Sequence, residues 1–108
     1  MDFFQVVASR YSYRGPYKDQ PVPREDLQRI VQAGLQAPSA MNAQTTSFVI
    51  VDDPEKLARL AEILPNIASI KTAKAVLVVC VDKHDPASER PDFTTQNYSA
   101  AVENAILA

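Results

Sequence analysis

The sequence predicts an α+β fold in which a sheet is flanked by helices on both faces. Three observations carry this expectation. Two short runs, "SFVIV" at 47–51 and "AVLVVCV" at 75–81, are apolar and rich in β-branched residues, as buried strands are. The second is apolar throughout, the pattern of a strand covered on both faces. Four other segments place apolar residues at helical spacing.

The elements follow in order. Residues 2–9 read as a short helix with Phe3, Phe4, Val6 and Val7 on its apolar side. Residues 10–22 read as a loop, because Gly15, Pro16, Pro21 and Pro23 interrupt any regular element. Pro23 suits the first turn of the next helix, and Glu25 and Asp26 suit its positive end. Leu27, Ile30, Val31, Gly34 and Leu35 form one stripe on that helix, which Pro38 ends at Gln36 or Ala37. After the first strand, Asp52 or Asp53 caps a helix with Pro54 and Glu55 in its first turn. Leu57, Leu60, Ala61 and Leu64 form the inner face of this helix, and Pro65 stops it. From Thr94 onward, Tyr98, Ala101, Val102, Ala105 and Ile106 keep helical spacing up to Ala108, where no capping residue closes the helix. The expectation is that residues 1–108 form the N-terminal part of a single domain that continues beyond Ala108.

Composition excludes several kinds of function. Eleven basic and thirteen acidic residues give a net charge of −2, without the basic excess of a general nucleic-acid or membrane-surface binder. The longest apolar run, Ala75 to Val81, is too short to cross a bilayer, and "MDFFQVVASR" lacks a cationic leader region. A cytoplasmic location is the default. Two glycines, Gly15 and Gly34, cannot build a GxGxxG or Walker loop. One His and one Cys cannot build a Cys/His zinc site, so no metal is expected. His84 reads as a solvated loop residue and Cys80 as a plain core thiol. No side-chain acid, base or nucleophile stands out as catalytic. Any demanding chemistry would fall to an organic cofactor.

Two loops offer binding groups. "SRYSYR" places Arg10, Ser12 and Arg14 at every second position, on one face of an extended backbone. Guanidinium groups present planar donor pairs that fit phosphate oxygens, and a serine hydroxyl adds another donor. On spacing alone, a surface loop of solvated arginines and packed tyrosines is the simpler reading. In "APSAMNAQTTSF", the small residues Ser39, Ala40 and Ala43 would let backbone approach a flat ligand. Ser39, Asn42 and Gln44 offer donors and acceptors beside it. Alone, an ordinary helix-to-strand loop is the simpler reading here too.

Taken together and in order, the two loops resemble the nitroreductase family of FMN-dependent oxidoreductases. "RYSYR" resembles that family's R-x-S-x-R, and "APSAMNAQ" its A-P-S-x-x-N-x-Q. The resemblance runs along nearly all of the chain, through "PVPREDLQRIVQAGLQAPSAMNAQ" and "DDPEKLARLAE". It implies a central mixed sheet between two helical layers, a three-layer sandwich in an intertwined homodimer with FMN at the subunit interface. Arg10, Ser12 and Arg14, with the backbone of Tyr11, would hold the FMN phosphate. Pro38, Ser39, Ala40 and Asn42, from the other subunit, would lie against the flavin ring and ribityl chain. Asn66 sits where some members place an Asn near the ring; a helix C-cap is the alternative.

The chain also departs from the family pattern. Thr45 and Thr46 replace the frequent Pro-Trp, and Tyr11 replaces a second arginine. The family's second half adds backbone contacts to the flavin, a further basic phosphate ligand and part of the dimer interface. The implied activity is reduction of nitroaromatic, quinone or similar small-molecule acceptors by a ping-pong mechanism, with NADH or NADPH as hydride donor. A flavin-binding storage or sensor protein without turnover is the alternative. Neither nucleic acid nor membrane is an expected partner.

Overall fold

Local capping chemistry sets where the helices begin. The computed structural model describes residues 1–108 and contains helices α1 (Phe3–Ser9), α2 (Arg24–Leu35), α3 (Pro54–Ile63) and α4 (Thr94–Leu107). Asp2 opens α1 with a capping box: its side chain accepts from the Gln5 N–H, and its own N–H donates to Gln5 Oε1, both at 2.9 Å. Pro23 takes the position before α2 rather than within its first turn. The Asp53 side chain accepts from the Lys56 N–H at 3.0 Å and so caps α3, with Pro54 in first place. Asp92 Oδ1 accepts from the Thr94 N–H at 2.9 Å, next to the start of α4.

The strands β1 (Thr46–Val51) and β2 (Val76–Val81) pair antiparallel, Thr46 opposite Val81 and Val51 opposite Val76. Each lies within one residue of its expected place. Alternation puts Phe48, Ile50, Leu77 and Val79 on one face of the ribbon, and α2 and α4 pack against the sheet. On the opposite face Val49 and Val78 stand across from each other, and both are exposed. The expectation of a sheet covered on both faces is therefore met on one face only within this chain.

Helices α2 and α4 meet through small residues. Gly34 is buried, and a Cβ there would stand 2.6 Å from the Phe48 ring and 3.2 Å from the Ala101 carbonyl oxygen. Ala101 is buried opposite it. Asn104 Nδ2 ties the same pair by donating to the Ala33 carbonyl at 3.2 Å.

The core is thin. Six of 108 residues are buried, among them Leu27, Leu57, Ile70 and Ala101. The accessible area is 8300 Å², against about 5,900 Å² for a compact monomer of this mass. The radius of gyration is 15.7 Å, against about 13 Å for a compact domain of this length. Helix α1 buries nothing: Phe3 is 67% and Phe4 80% exposed. Leu35, Leu64, Tyr98 and Ile106 were expected on inner helix faces and are exposed instead. The inner face of α4 is rotated away from Tyr98, toward Asn97, Ala101 and Asn104. No helix is long and apolar enough to cross a membrane.

Candidate functional site

The first loop leaves α1 at Arg10, whose backbone is extended (φ −61°, ψ 134°). Residues 10–14 form neither helix nor strand. Arg10 Nε lies 4.0 Å from Glu103 Oε1 on α4, a long, solvent-screened pairing. Ser12 and Arg14 are exposed and make no side-chain hydrogen bond or ion pair within the chain. Two of the three expected anion ligands thus have unspent donors, and the third has a weak competitor.

Aromatic packing shapes the far side of this loop. The Tyr13 hydroxyl donates to the Pro16 carbonyl at 2.8 Å. Its ring meets Tyr11 edge-on at 6.5 Å and Tyr17 at 5.6 Å, centroid to centroid. Gly15 makes this fold-back possible, because a Cβ there would stand 2.5 Å from the Tyr13 hydroxyl oxygen. Farther along, the Tyr17 N–H donates to Thr72 Oγ1 at 3.0 Å, and Lys74 pairs with Asp19. The loop is therefore fastened to the segment that enters β2.

The second loop is tight and conformationally strained. Pro38 and Ser39 lead into a 3-10 turn at Ala40–Asn42. Met41, Asn42 and Gln44 all have positive φ, at 54°, 52° and 53°. A left-handed conformation costs a residue with a Cβ about 1–2 kcal/mol, and asparagine tolerates it best. Hydrogen bonds within the loop offset part of that cost. Ser39 Oγ accepts from the Gln44 N–H at 3.0 Å, and Asn42 Oδ1 accepts from Gln44 Nε2 at 3.1 Å. The Asn42 and Ala43 N–H groups donate to the Ser39 and Ala40 carbonyls.

One side chain outside the loop also holds it. Asn97 on α4, 8% exposed, accepts the Ala40 N–H on its Oδ1 at 2.9 Å. A cavity of about 210 Å³ lies beside this contact, with Ser39, Gln44, Thr45 and Asn97 in its wall. Asn97, Asn104 and Glu103 are absent from the residues that spacing singled out. A polar residue in an apolar helix pattern reads as solvent-facing. The available signal was the 97, 101, 104 spacing, which puts both asparagines on the face of Ala101.

The two loops do not touch through any hydrogen bond or ion pair, and both abut α4. Asn97 and Glu103 are six residues apart, about 9 Å along the axis and about 120° around it. One chain thus presents the loops at separate places on a shared helix. Asn66 lies apart from both loops, exposed and without a side-chain hydrogen bond. It does not cap α3, which ends at Ile63 with Leu64 in the cap position. The largest groove, about 900 Å³ and walled by Tyr13, Tyr17, Leu27, Ile67, Ile70 and Val76, includes no residue of 38–44 and neither loop arginine. Cys80 is half-buried on β2 opposite Ser47, and His84 is half-buried beyond its end.

The family model described as "Nitroreductase family" matches residues 7–85. A Methanothermobacter thermautotrophicus protein assigned as an NADH dehydrogenase/NAD(P)H nitroreductase is 32% identical over 108 residues, all of this chain and 55% of the relative. The NADPH-flavin oxidoreductase of Vibrio harveyi is 38% identical over 92 residues, 82% of this chain and 38% of the relative. The chain thus spans about half or less of the length of these curated relatives. Among solved structures, a Desulfovibrio desulfuricans protein assigned as a nitroreductase, in complex with FMN, superposes with a TM-score of 0.78 at 29% identity. That likeness covers 96% of this chain and 59% of the other.

Proposed function

The chain belongs to the nitroreductase family, and on that premise we propose that it carries the phosphate-binding and ring-facing loops of an FMN-dependent NAD(P)H oxidoreductase. The observation that carries this reading is the unspent donor set of the first loop. Ser12 and Arg14 have no partner inside the chain, and Arg10 has only a 4.0 Å contact to Glu103. A group of this kind suits a dianionic phosphate, whose oxygens accept paired guanidinium donors. The names of the relatives, an NADPH-flavin oxidoreductase and a protein in complex with FMN, support the same ligand.

Arg10, Ser12, Arg14 and the backbone of Tyr11 would anchor the FMN phosphate. Pro38, Ser39, Ala40 and Asn42 would face the ring and ribityl chain, with Asn66 near the ring. Bound FMN would accept a hydride from NADH or NADPH and pass electrons to a nitroaromatic, quinone or similar acceptor. The chain's own part is placement. Cations would fix the tail, and a loop tied by hydrogen bonds would limit where the ring can lie. Using one surface for donor and acceptor in turn gives ping-pong kinetics. A reductase fed by NAD(P)H would work in the cytoplasm, where those dinucleotides are kept.

Two surfaces support an intertwined homodimer with FMN at its interface and a three-layer sandwich of mixed sheet and helices. One is the apolar side of α1, and the other is the exposed Val49–Val78 face of the sheet. The accessible area exceeds that of a compact monomer by about 2,400 Å², so two subunits that each covered this excess would bury about 4,800 Å² in total, within the range of obligate interfaces. The placement of the two loops at separate points of α4 fits a site in which each subunit supplies one loop.

A visible absorption spectrum of the purified protein, before and after anaerobic NADH or NADPH, tests the reading. An oxidised-flavin spectrum that bleaches within the mixing time is expected, followed by reoxidation with a quinone and parallel-line initial-rate plots. Intersecting lines would refute the ping-pong order. Bound flavin that stays oxidised would refute the reductase and leave a storage or sensor protein. No flavin after incubation with FMN would refute the site.

A further inference from the structure

We propose that Asn97 is a positioning residue: from α4 it holds the ring-facing loop 38–44 in its strained shape, so that the flavin meets a preformed surface. The inference rests on the functional reading above but adds a residue that neither loop contains. The loop's internal hydrogen bonds, Ser39 to Gln44 and Asn42 to Gln44, move with it and cannot fix it to the rest of the fold. The Ala40 N–H to Asn97 Oδ1 bond is the one side-chain hydrogen bond that joins residues 38–44 to another element.

The chemistry of that bond is directional. A backbone N–H only donates, so the atom of Asn97 that meets Ala40 must be its carbonyl oxygen. The contact is half-buried, and losing its acceptor there leaves an N–H short of a partner. It also sits at the entrance of the strained stretch, just before Met41, Asn42 and Gln44 with their positive φ. Residues in sparsely populated conformations persist when their surroundings over-determine them. Freed from Asn97, Met41 and Gln44 gain access to ordinary backbone conformations, and the loop loses its single shape.

Helix α4 can act as a firm base for this purpose. Four residues beyond Asn97, Ala101 packs at Gly34, and seven beyond, Asn104 bonds to the Ala33 carbonyl. All three lie on one face of α4, so the helix that grips α2 also grips the loop that follows α2.

The test compares Asn97→Leu, which removes the acceptor, with Asn97→Asp, which keeps an oxygen at the same place. Amide hydrogen exchange on protein without added flavin reads the loop itself. Affinities for FMN and for riboflavin, which lacks the phosphate, read its effect on the ring. In Asn97→Leu the Ala40, Asn42 and Ala43 amides should exchange at least tenfold faster, with the β1 and β2 amides unchanged. FMN and riboflavin should both bind about tenfold more weakly, by the same factor, because the phosphate contacts are untouched. Asn97→Asp should restore slow exchange at Ala40.

Unchanged Ala40 exchange in Asn97→Leu overturns the inference. So does faster exchange with unchanged riboflavin affinity, a result that leaves the functional reading standing. Faster exchange in β1 and β2 as well would show a general loss of packing and would also overturn it. If the unaltered protein binds neither flavin, the functional reading falls and the flavin half of this inference with it. The exchange data would still decide whether Asn97 holds the loop.

Discussion

Replacing Gly34 with alanine should loosen the scaffold beneath the second loop. The added Cβ would lie 2.6 Å from Phe48 Cζ, 2.9 Å from Cε2 and 3.2 Å from the Ala101 carbonyl oxygen. Ordinary carbon contacts lie at about 3.5–4.0 Å, so the ring must retreat by about 1 Å. The Ala101 oxygen belongs to the α4 backbone and cannot yield alone. Overpacking of this kind costs about 1–3 kcal/mol. Alanine in a helix interior recovers about 1 kcal/mol relative to glycine. The net expectation is a loss of up to about 2 kcal/mol, measured by urea unfolding at fixed protomer concentration. A double-mutant cycle with Phe48→Leu isolates the clash, with a coupling of about 1–2 kcal/mol expected. In the Phe48→Leu background, Gly34→Ala should cost less, because of these contacts only the one at 3.2 Å to the Ala101 oxygen remains. If Gly34→Ala stabilises the protein with Phe48 in place, or has the same effect in both backgrounds, the close-approach argument is wrong.

Arg10→Ala with Arg14→Ala removes two charged hydrogen-bonding groups of about 1.5–3 kcal/mol each. FMN affinity should fall by roughly a hundredfold or more while riboflavin affinity holds; equal losses for both ligands would count against phosphate anchoring. Gly15→Ala would drive a Cβ into the Tyr13 hydroxyl, now 2.5 Å away. It should release the Tyr13–Pro16 bond and weaken FMN binding, and unchanged tyrosine NMR shifts would refute this. Leu27→Ala should cost about 2–5 kcal/mol, a large share of the stability of so thin a core, as read from a urea midpoint shift. Hydrogen bonds from Thr94 hold the Asp92 carboxyl below the usual carboxylate range. A depressed folded value means that the contribution is complete at neutral pH and fades as pH falls below about 4 through that value. The first turn of α4 should therefore fray in acid, which an Asp92 carboxyl titration by NMR would show; a titration at the ordinary carboxylate value would refute it.

Features set by neighbours in sequence were legible without coordinates. Asp53 and Pro54 announce α3, and the β-branched runs fall within one residue of β1 and β2, because caps and alternation act over a few residues. Residues 10–22 read as loop for the same reason. The Ser39 and Asn42 side chains stood out by type, yet their present partners, the backbone and side chain of Gln44, emerge only from a loop with three positive φ values and no glycine. Asn42 is the one local hint of that geometry; at Met41 and Gln44 nothing calls for it, since glycine would be the cheap choice.

Which face of α4 turns inward depended on a residue far away. The expected stripe sets the large apolar groups Tyr98, Val102 and Ile106 beside the small Ala101 and Ala105. The tight approach at Gly34 leaves room only for a small side chain opposite, and Ala101 fills that place. Once Ala101 is inward, Asn97 and Asn104 must be inward too, four and three residues away on the same face. Their amides then need partners, and Ala40 N–H and the Ala33 carbonyl supply them. Two asparagines outside the expected stripe therefore become the ties between α4, α2 and the second loop. A helix face chosen by packing, rather than by hydrophobicity, thus couples the stability of the scaffold to the shape of the candidate site. Loss of the Gly34–Ala101 contact should for that reason be felt at Ala40.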